Sequence, residues 1–220
     1  MKDWTGNSKT AYSILGASNH SVIDREQNDY YATHPSAIDD LLLFEKFEGS
    51  IWECACGEGH LSKRLEDYNY KVISTDLINR KYGKGNIDFL KFNGVSLADN
   101  IITNPPYKYA KEFVEKALYL LQPGKKLAMF LKLTFLEGQD RYNLFKNYPP
   151  KTVYVYSNRK QCAMNGDFKN KNDSAIAYAW FVWVVSQYNE TNIKWILSNS
   201  NKLINKVEIQ KAIPKKKSIF

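Results

Sequence analysis

The sequence predicts an α/β fold: a seven-stranded, mostly parallel sheet with helices on both faces. Three observations carry this. Short apolar, β-branched runs alternate along the chain with amphipathic segments of helical period. The first such run, 51–55, passes through Cys56-Gly57-Glu58-Gly59-His60 into a helical pattern, which is the first half of a βαβ unit. Several polar residues suited to ligand contact, Gly57, Asp76, Asp88 and Asn104, all fall just past strand-like runs, where parallel sheets collect their functional loops.

Residues 1–28 are polar, show no sustained period and read as an irregular N-terminal segment. The stretch from Asp29 leads to a helix starting near Pro35 or Ser36, because proline suits a first helical position. Ile38, Leu41 and Leu42 give that helix its apolar stripe. Strands are predicted at 51–55 and 71–75, the second running into Asp76, with a helix over 61–68 between them. A third strand is expected to end over 86–90 and a fourth covers 100–103. A helix over 111–121 shows Phe113, Val114, Ala117, Leu118 and Leu121 on one face and stops at Pro123-Gly124. The fifth strand is expected at 127–133, a helix at 136–145, the sixth strand at 152–156 and an aromatic seventh at 177–185. These elements predict one folded domain over 29–190, followed by a basic extension over 191–220 in which 192–197 can add an edge strand.

At 220 residues the chain suits one sizeable core, and 44% hydrophobic content with 14% aromatics supports a globular one. No apolar run reaches the roughly 18 residues of a membrane span, and the start lacks a basic-then-apolar leader; a cytoplasmic protein without membrane contact is expected. Cys54, Cys56 and Cys162 are an odd set, and Cys-x-Cys is not a common zinc spacing, so free thiols and no metal are expected. The formal charge of +8 favours a polyanionic partner. In the polar loop 157–174, Arg159, Lys160, Lys169 and Lys171 can follow a phosphate backbone; a solvated loop is the alternative.

The motif with most chemical content is Asn104-Pro105-Pro106-Tyr107. Asn104 offers an amide oxygen at a strand end, and Pro105 lacks an N–H and has a fixed φ, so its carbonyl can point outward beside it. Tyr107 adds an aromatic face on which a base can stack for roughly 1–3 kcal/mol. The set suits a planar molecule with an exocyclic amine. Asp76, past the second strand, can accept from both hydroxyls of a ribose or can cap a helix.

In these residues the chain resembles the S-adenosylmethionine-dependent amino-methyltransferases, specifically the small phage-like adenine-N6 DNA methyltransferases, over roughly residues 29–185. The resemblance implies a Rossmann-like methyltransferase fold, S-adenosylmethionine as cofactor and DNA as partner. It implies that Asn104, Pro105, Pro106 and Tyr107 grip a flipped adenine, and that Glu53, Ala55, Gly57 and Gly59 hold the methionine part of the cofactor. Asp76 and Leu77 are then implied at its ribose, Asp88 and Phe89 at its adenine, and Tyr31, Thr33 and Pro35 in an additional cofactor segment. No separate target-recognition domain is evident, which leaves the loop 157–174 and the termini for DNA contact. The same motif also occurs in enzymes methylating RNA bases, cytosine N4 or protein glutamine, and a non-catalytic DNA-binding protein of the same fold is a rival from another class.

Overall fold

The computed structural model describes residues 31–158, 160, 162–164 and 176–197. Strand β1 (Tyr31–Thr33) enters helix α1 (Ser36–Leu42), with Pro35 in the helix-initiating position as expected. Then come β2 (Ile51–Glu53), α2 (His60–Asp67), β3 (Val72–Ser74), β4 (Asn100–Thr103) and α3 (Ala110–Leu120). The chain continues through β5 (Lys126–Lys132), α4 (Tyr142–Asn147), β6 (Thr152–Tyr156), β7 (Cys162–Met164), β8 (Tyr178–Val184) and β9 (Asn192–Ile196).

Seven strands form one sheet in the order β3-β2-β4-β5-β8-β6-β9. Every neighbouring pair is parallel except those made by β8, which runs against both β5 and β6. Helices cover both faces. On one, Ile38 and Leu41 of α1 and Leu61 and Leu65 of α2 pack on Ile102, Phe130 and Trp180. On the other, Phe113, Val114 and Ala117 of α3 pack on Ile101, Met129 and Phe181. Strand β8 is buried along its whole length, which explains its run of aromatics: alternate residues feed opposite cores. Its two tryptophans also satisfy their indole N–H groups, Trp180 donating to the Ala37 carbonyl at 3.0 Å and Trp183 to that of Tyr148 at 2.9 Å.

Three expectations need correction. The segment 86–90 is a turn and not a strand: Asn86 has φ +60°, and Asp88 Oδ1 accepts from the Leu90 N–H at 3.0 Å, a local bond that competes with a ladder. The helix expected over 136–145 is broken at Gly138, whose φ of +112° divides it into two short 3₁₀ turns and the six-residue α4. The edge strand expected over 192–197 forms as β9, which pairs with β6 through the register Val153–Ile193 and Val155–Trp195. The loop after β6 carries a strand, β7, that pairs antiparallel with β1 as a separate two-stranded sheet. The segments 1–28 and 198–220 lie outside the described residues, the first wholly and the second from β9's end. Among the described residues no helix is long and apolar enough to cross a membrane, and no group of three His, Cys, Asp or Glu could hold a metal ion.

Candidate active site

The site is built where β2, β3, β4 and β5 end. Strands β2 and β4 are direct parallel neighbours, with Ile51 opposite Asn100 and Trp52 opposite Ile101. Whatever follows Glu53 and whatever follows Thr103 therefore emerge side by side at the same edge. The glycine turn follows Glu53, and the Asn104 turn follows Thr103.

The glycine turn is tight: the Gly59 N–H donates to the Cys56 carbonyl at 2.8 Å, and Gly57 and Gly59 have φ of +54° and +80°. A side chain at Gly59 would also collide with the ring of Tyr82, so only glycine fits there. Tyr82 is a component that sequence patterning did not single out. Its ring lies on the turn, with Lys63 Nζ 4.8 Å from its centroid and its hydroxyl 3.3 Å from Glu66.

Asp76 ties the turn to β3. One carboxylate oxygen accepts the Gly57 N–H at 2.8 Å and the other the Ile78 N–H, also at 2.8 Å. No helix begins at Asp76, so helix capping is not its role; it caps a turn and fixes the glycine loop. Leu77 beside it is 52% exposed, an apolar side chain left at the rim of this edge.

Glu53 ends β2 fully buried, and the Ser62 hydroxyl of α2 donates to its carboxyl. Ser62 in turn is 2.8 Å from the Ser74 hydroxyl at the end of β3. Among the described residues no lysine, arginine or histidine forms an ion pair with Glu53. Burial pushes its pKa up to about 8, with the Ser62 hydrogen bond opposing and the charge of Asp76 adding to the rise. A buried carboxyl lacking a cation, a carboxylate fixed beside a glycine turn and an exposed apolar rim fit a ligand with an ammonium at one end and a hydroxylated nucleoside at the other.

The sign of the linkage follows directly. The folded-state pKa of Glu53 lies above its ordinary value of 4.5, so the stability it contributes is complete below about pH 4.5 and lost as pH rises toward about 8. Thermal unfolding followed across that window is expected to show a slope of about one proton. Glu53→Gln is expected to remove it; an unchanged slope in the variant assigns the proton elsewhere.

At the neighbouring strand end, Asn104 is half-buried, Pro105 buried, and Pro106 and Tyr107 half-buried. Pro106 (φ −58°, ψ 121°) turns the chain, and its carbonyl accepts the Tyr109 N–H at 2.9 Å. Tyr107 packs against hydrophobics of both cores, its ring 5.9 Å from that of Tyr178 and its centroid 4.6 Å from Lys132 Nζ.

Other predicted residues are placed differently. Phe89 is 2% exposed, stacked on Phe113 at 4.9 Å and edge-on to Trp52 at 5.2 Å, so its ring is part of the core. Asp88 caps its own turn and pairs with Lys91 at 3.4 Å, and Ala55 is half-buried in the turn after β2. Thr33 is buried opposite Cys162, while Tyr31 pairs through its backbone with Met164. Lys160 is not a surface contact: it is 3% exposed, bonded to Asp40 at 2.5 Å and to the Ser36 hydroxyl at 2.7 Å. A polar, lysine-rich run concealed this, because the carboxylate that buries it lies far away on α1. Arg159, Lys169 and Lys171 lie outside the described residues. Cys54 and Cys56 are free, buried thiols whose pKa burial pushes up, to about 12 for Cys56, so neither is an activated nucleophile.

No protein-family model matches the chain, and no curated protein does. Solved structures do. A candidate class I S-adenosylmethionine-dependent methyltransferase from Listeria monocytogenes superposes with a TM-score of 0.55 at 13% identity, covering 93% of this chain and 77% of that one. A candidate RNA methyltransferase from Pyrococcus horikoshii gives 0.54 at 15% identity, covering 82% and 98%. A candidate hemolysin from Lactococcus lactis gives 0.51 at 9% identity, covering 80% and 92%. At such identities the likeness concerns architecture, and with the strand order above it leads to one conclusion: this chain has the Rossmann-like fold of the S-adenosylmethionine-dependent methyltransferases.

Proposed function

We propose that this protein is an S-adenosylmethionine-dependent amino-methyltransferase acting on the N6 amine of adenine in DNA. The observation that carries the reading is the adjacency of β2 and β4, which sets the Asn104 turn beside the Glu53 and glycine turn at one sheet edge. Glu53 would hold the cofactor's ammonium and Asp76 its ribose hydroxyls, using lone pairs left by the Gly57 and Ile78 bonds. When bound, the cofactor supplies an electrophilic methyl that exchanges a carbon–sulfur bond for a carbon–nitrogen bond as the amine gives up one proton.

The chain's own contribution is positional. Adenine's N6 lone pair is delocalised into the ring, which makes it a poor nucleophile. Asn104 Oδ1 and the Pro105 carbonyl accept its two hydrogens, drawing the nitrogen toward a tetrahedral shape with its lone pair directed at the methyl. Tyr107 stacks on the extruded base and offsets part of the few kcal/mol that unstacking costs. The positive net charge supports a nucleic acid over a neutral partner.

The test is to incubate the protein with methyl-labelled cofactor and, separately, DNA, RNA and a glutamine-bearing protein, then to digest and identify the labelled product. N6-methyldeoxyadenosine is expected. Label confined to protein, to RNA or to N4-methyldeoxycytidine contradicts the reading. Asp76→Ala is expected to weaken cofactor binding about tenfold or more, since hydrogen bonds to a charged group contribute roughly 1.5–3 kcal/mol. Unchanged affinity by calorimetry would confine Asp76 to its turn-capping bonds.

A further inference from the structure

Lys132 closes β5 at the edge where the Asn104 turn emerges, since β5 is the parallel neighbour of β4. It stands in register with Tyr178 of β8, and both reach the ring of Tyr107. Stacked rings have centroids about 4.5–7 Å apart. An ammonium 4.6 Å above the Tyr107 centroid therefore occupies the seat that a base would take on that face. Base and ammonium exclude one another there.

Among the described residues no carboxylate forms an ion pair with the half-buried Lys132, whereas Lys125, Lys126 and Lys160 each pair with one. Lys108, the residue after Tyr107, likewise has no carboxylate partner among them and lies 5.2 Å from the ring of Tyr109. A cation–π contact contributes only about 0.5–2 kcal/mol and yields readily to a phosphate.

We propose that Lys132 is a nucleotide-positioning residue. It holds the ring of Tyr107 in place until a base arrives, then moves its ammonium on a flexible four-carbon stem to a phosphate of the strand that carries the base. This rests on the base-gripping reading of residues 104–107. It adds that the site selects nucleotides over amide side chains, because only a nucleotide brings an anion alongside the planar group.

The experiment compares the full chain with Lys132→Met, Lys132→Gln and Lys132→Arg. Steady-state methyl transfer to mixed-sequence duplex DNA gives kcat and KM, and fluorescence anisotropy of labelled DNA between 50 and 200 mM salt gives the slope of log K on log salt. Either neutral variant is expected to raise KM about tenfold with kcat within about threefold, and to reduce the slope by about 0.9, the value of one phosphate contact. Lys132→Arg is expected to restore the slope. An unchanged slope, or a loss confined to kcat, overturns the proposal and leaves Lys132 a support for Tyr107. If the wild-type protein labels no nucleic acid, the base-gripping reading itself falls, and the proposal with it.

Discussion

Asn104→Ala is expected to lower methyl transfer by roughly 10²–10³-fold while leaving cofactor affinity unchanged, the size of effect seen when one pre-positioned hydrogen-bonding group is lost from a reacting centre. The reason is the division of labour between two adjacent strand ends. Asn104 follows β4, whereas the groups we propose to face the cofactor follow β2 and β3, and the Gly57–Asp76 bond that organises them does not involve Asn104. Tyr107 provides an internal control. Tyr107→Phe keeps the ring and is expected to retain most of the activity, while Tyr107→Ala removes the stacking plate and is expected to lose it. Single-turnover rates with saturating cofactor separate these outcomes, and full activity in Asn104→Ala would end the gripping role.

Lys160→Ala is expected to destabilise the protein by about 3–5 kcal/mol, because it leaves Asp40 buried without its cation. For a chain of this size that lowers the melting temperature by on the order of 10 °C. Both side chains are almost fully enclosed, at 4% and 2% exposure, so solvent does little to weaken the pair. Burial raises the pKa of Asp40 and Lys160 is the main group opposing the rise, so loss of the lysine pushes the carboxyl further up. The pair fastens the chain after β6 to α1, next to the strand pairing between β1 and β7. A surface phosphate contact at Lys160 would instead leave the melting temperature within about 1 °C, since exposed substitutions change stability little.

How much of this was legible in the sequence depends on how local each determinant is. The strands β2, β4, β5, β6 and β8 have apolar interiors because both faces of the sheet are covered, and such runs are readable without a partner even where a polar residue such as Glu53, Asn100 or Lys126 stands at an end. The glycine turn and the Asn104 turn are likewise local, since each is punctuated by residues with unusual backbone preferences. The long-range determinants were hidden. Nothing near Lys160 in sequence announces Asp40, and the lysine reads as one charge among several in a polar loop. Phe89 sits beside an aspartate in a pattern that suits a ligand, yet Trp52 and Phe113 claim its ring. Lys132 looks like the polar end of an apolar strand, and only the approach of Tyr107 from β4's turn gives its ammonium a role. Tyr82 is invisible for the same reason, because the turn that brings it onto Gly59 has no periodic pattern.

The most direct measurement is a crystal structure with S-adenosylmethionine soaked or co-crystallised. The sulfonium is predicted to lie between the Glu53 turn and the Asn104 turn, its methyl facing Asn104 Oδ1 and the Pro105 carbonyl across a space that an amine nitrogen fills. A cofactor bound at the opposite edge of the sheet, or an Asn104 side chain turned away from the methyl, would contradict the assignment.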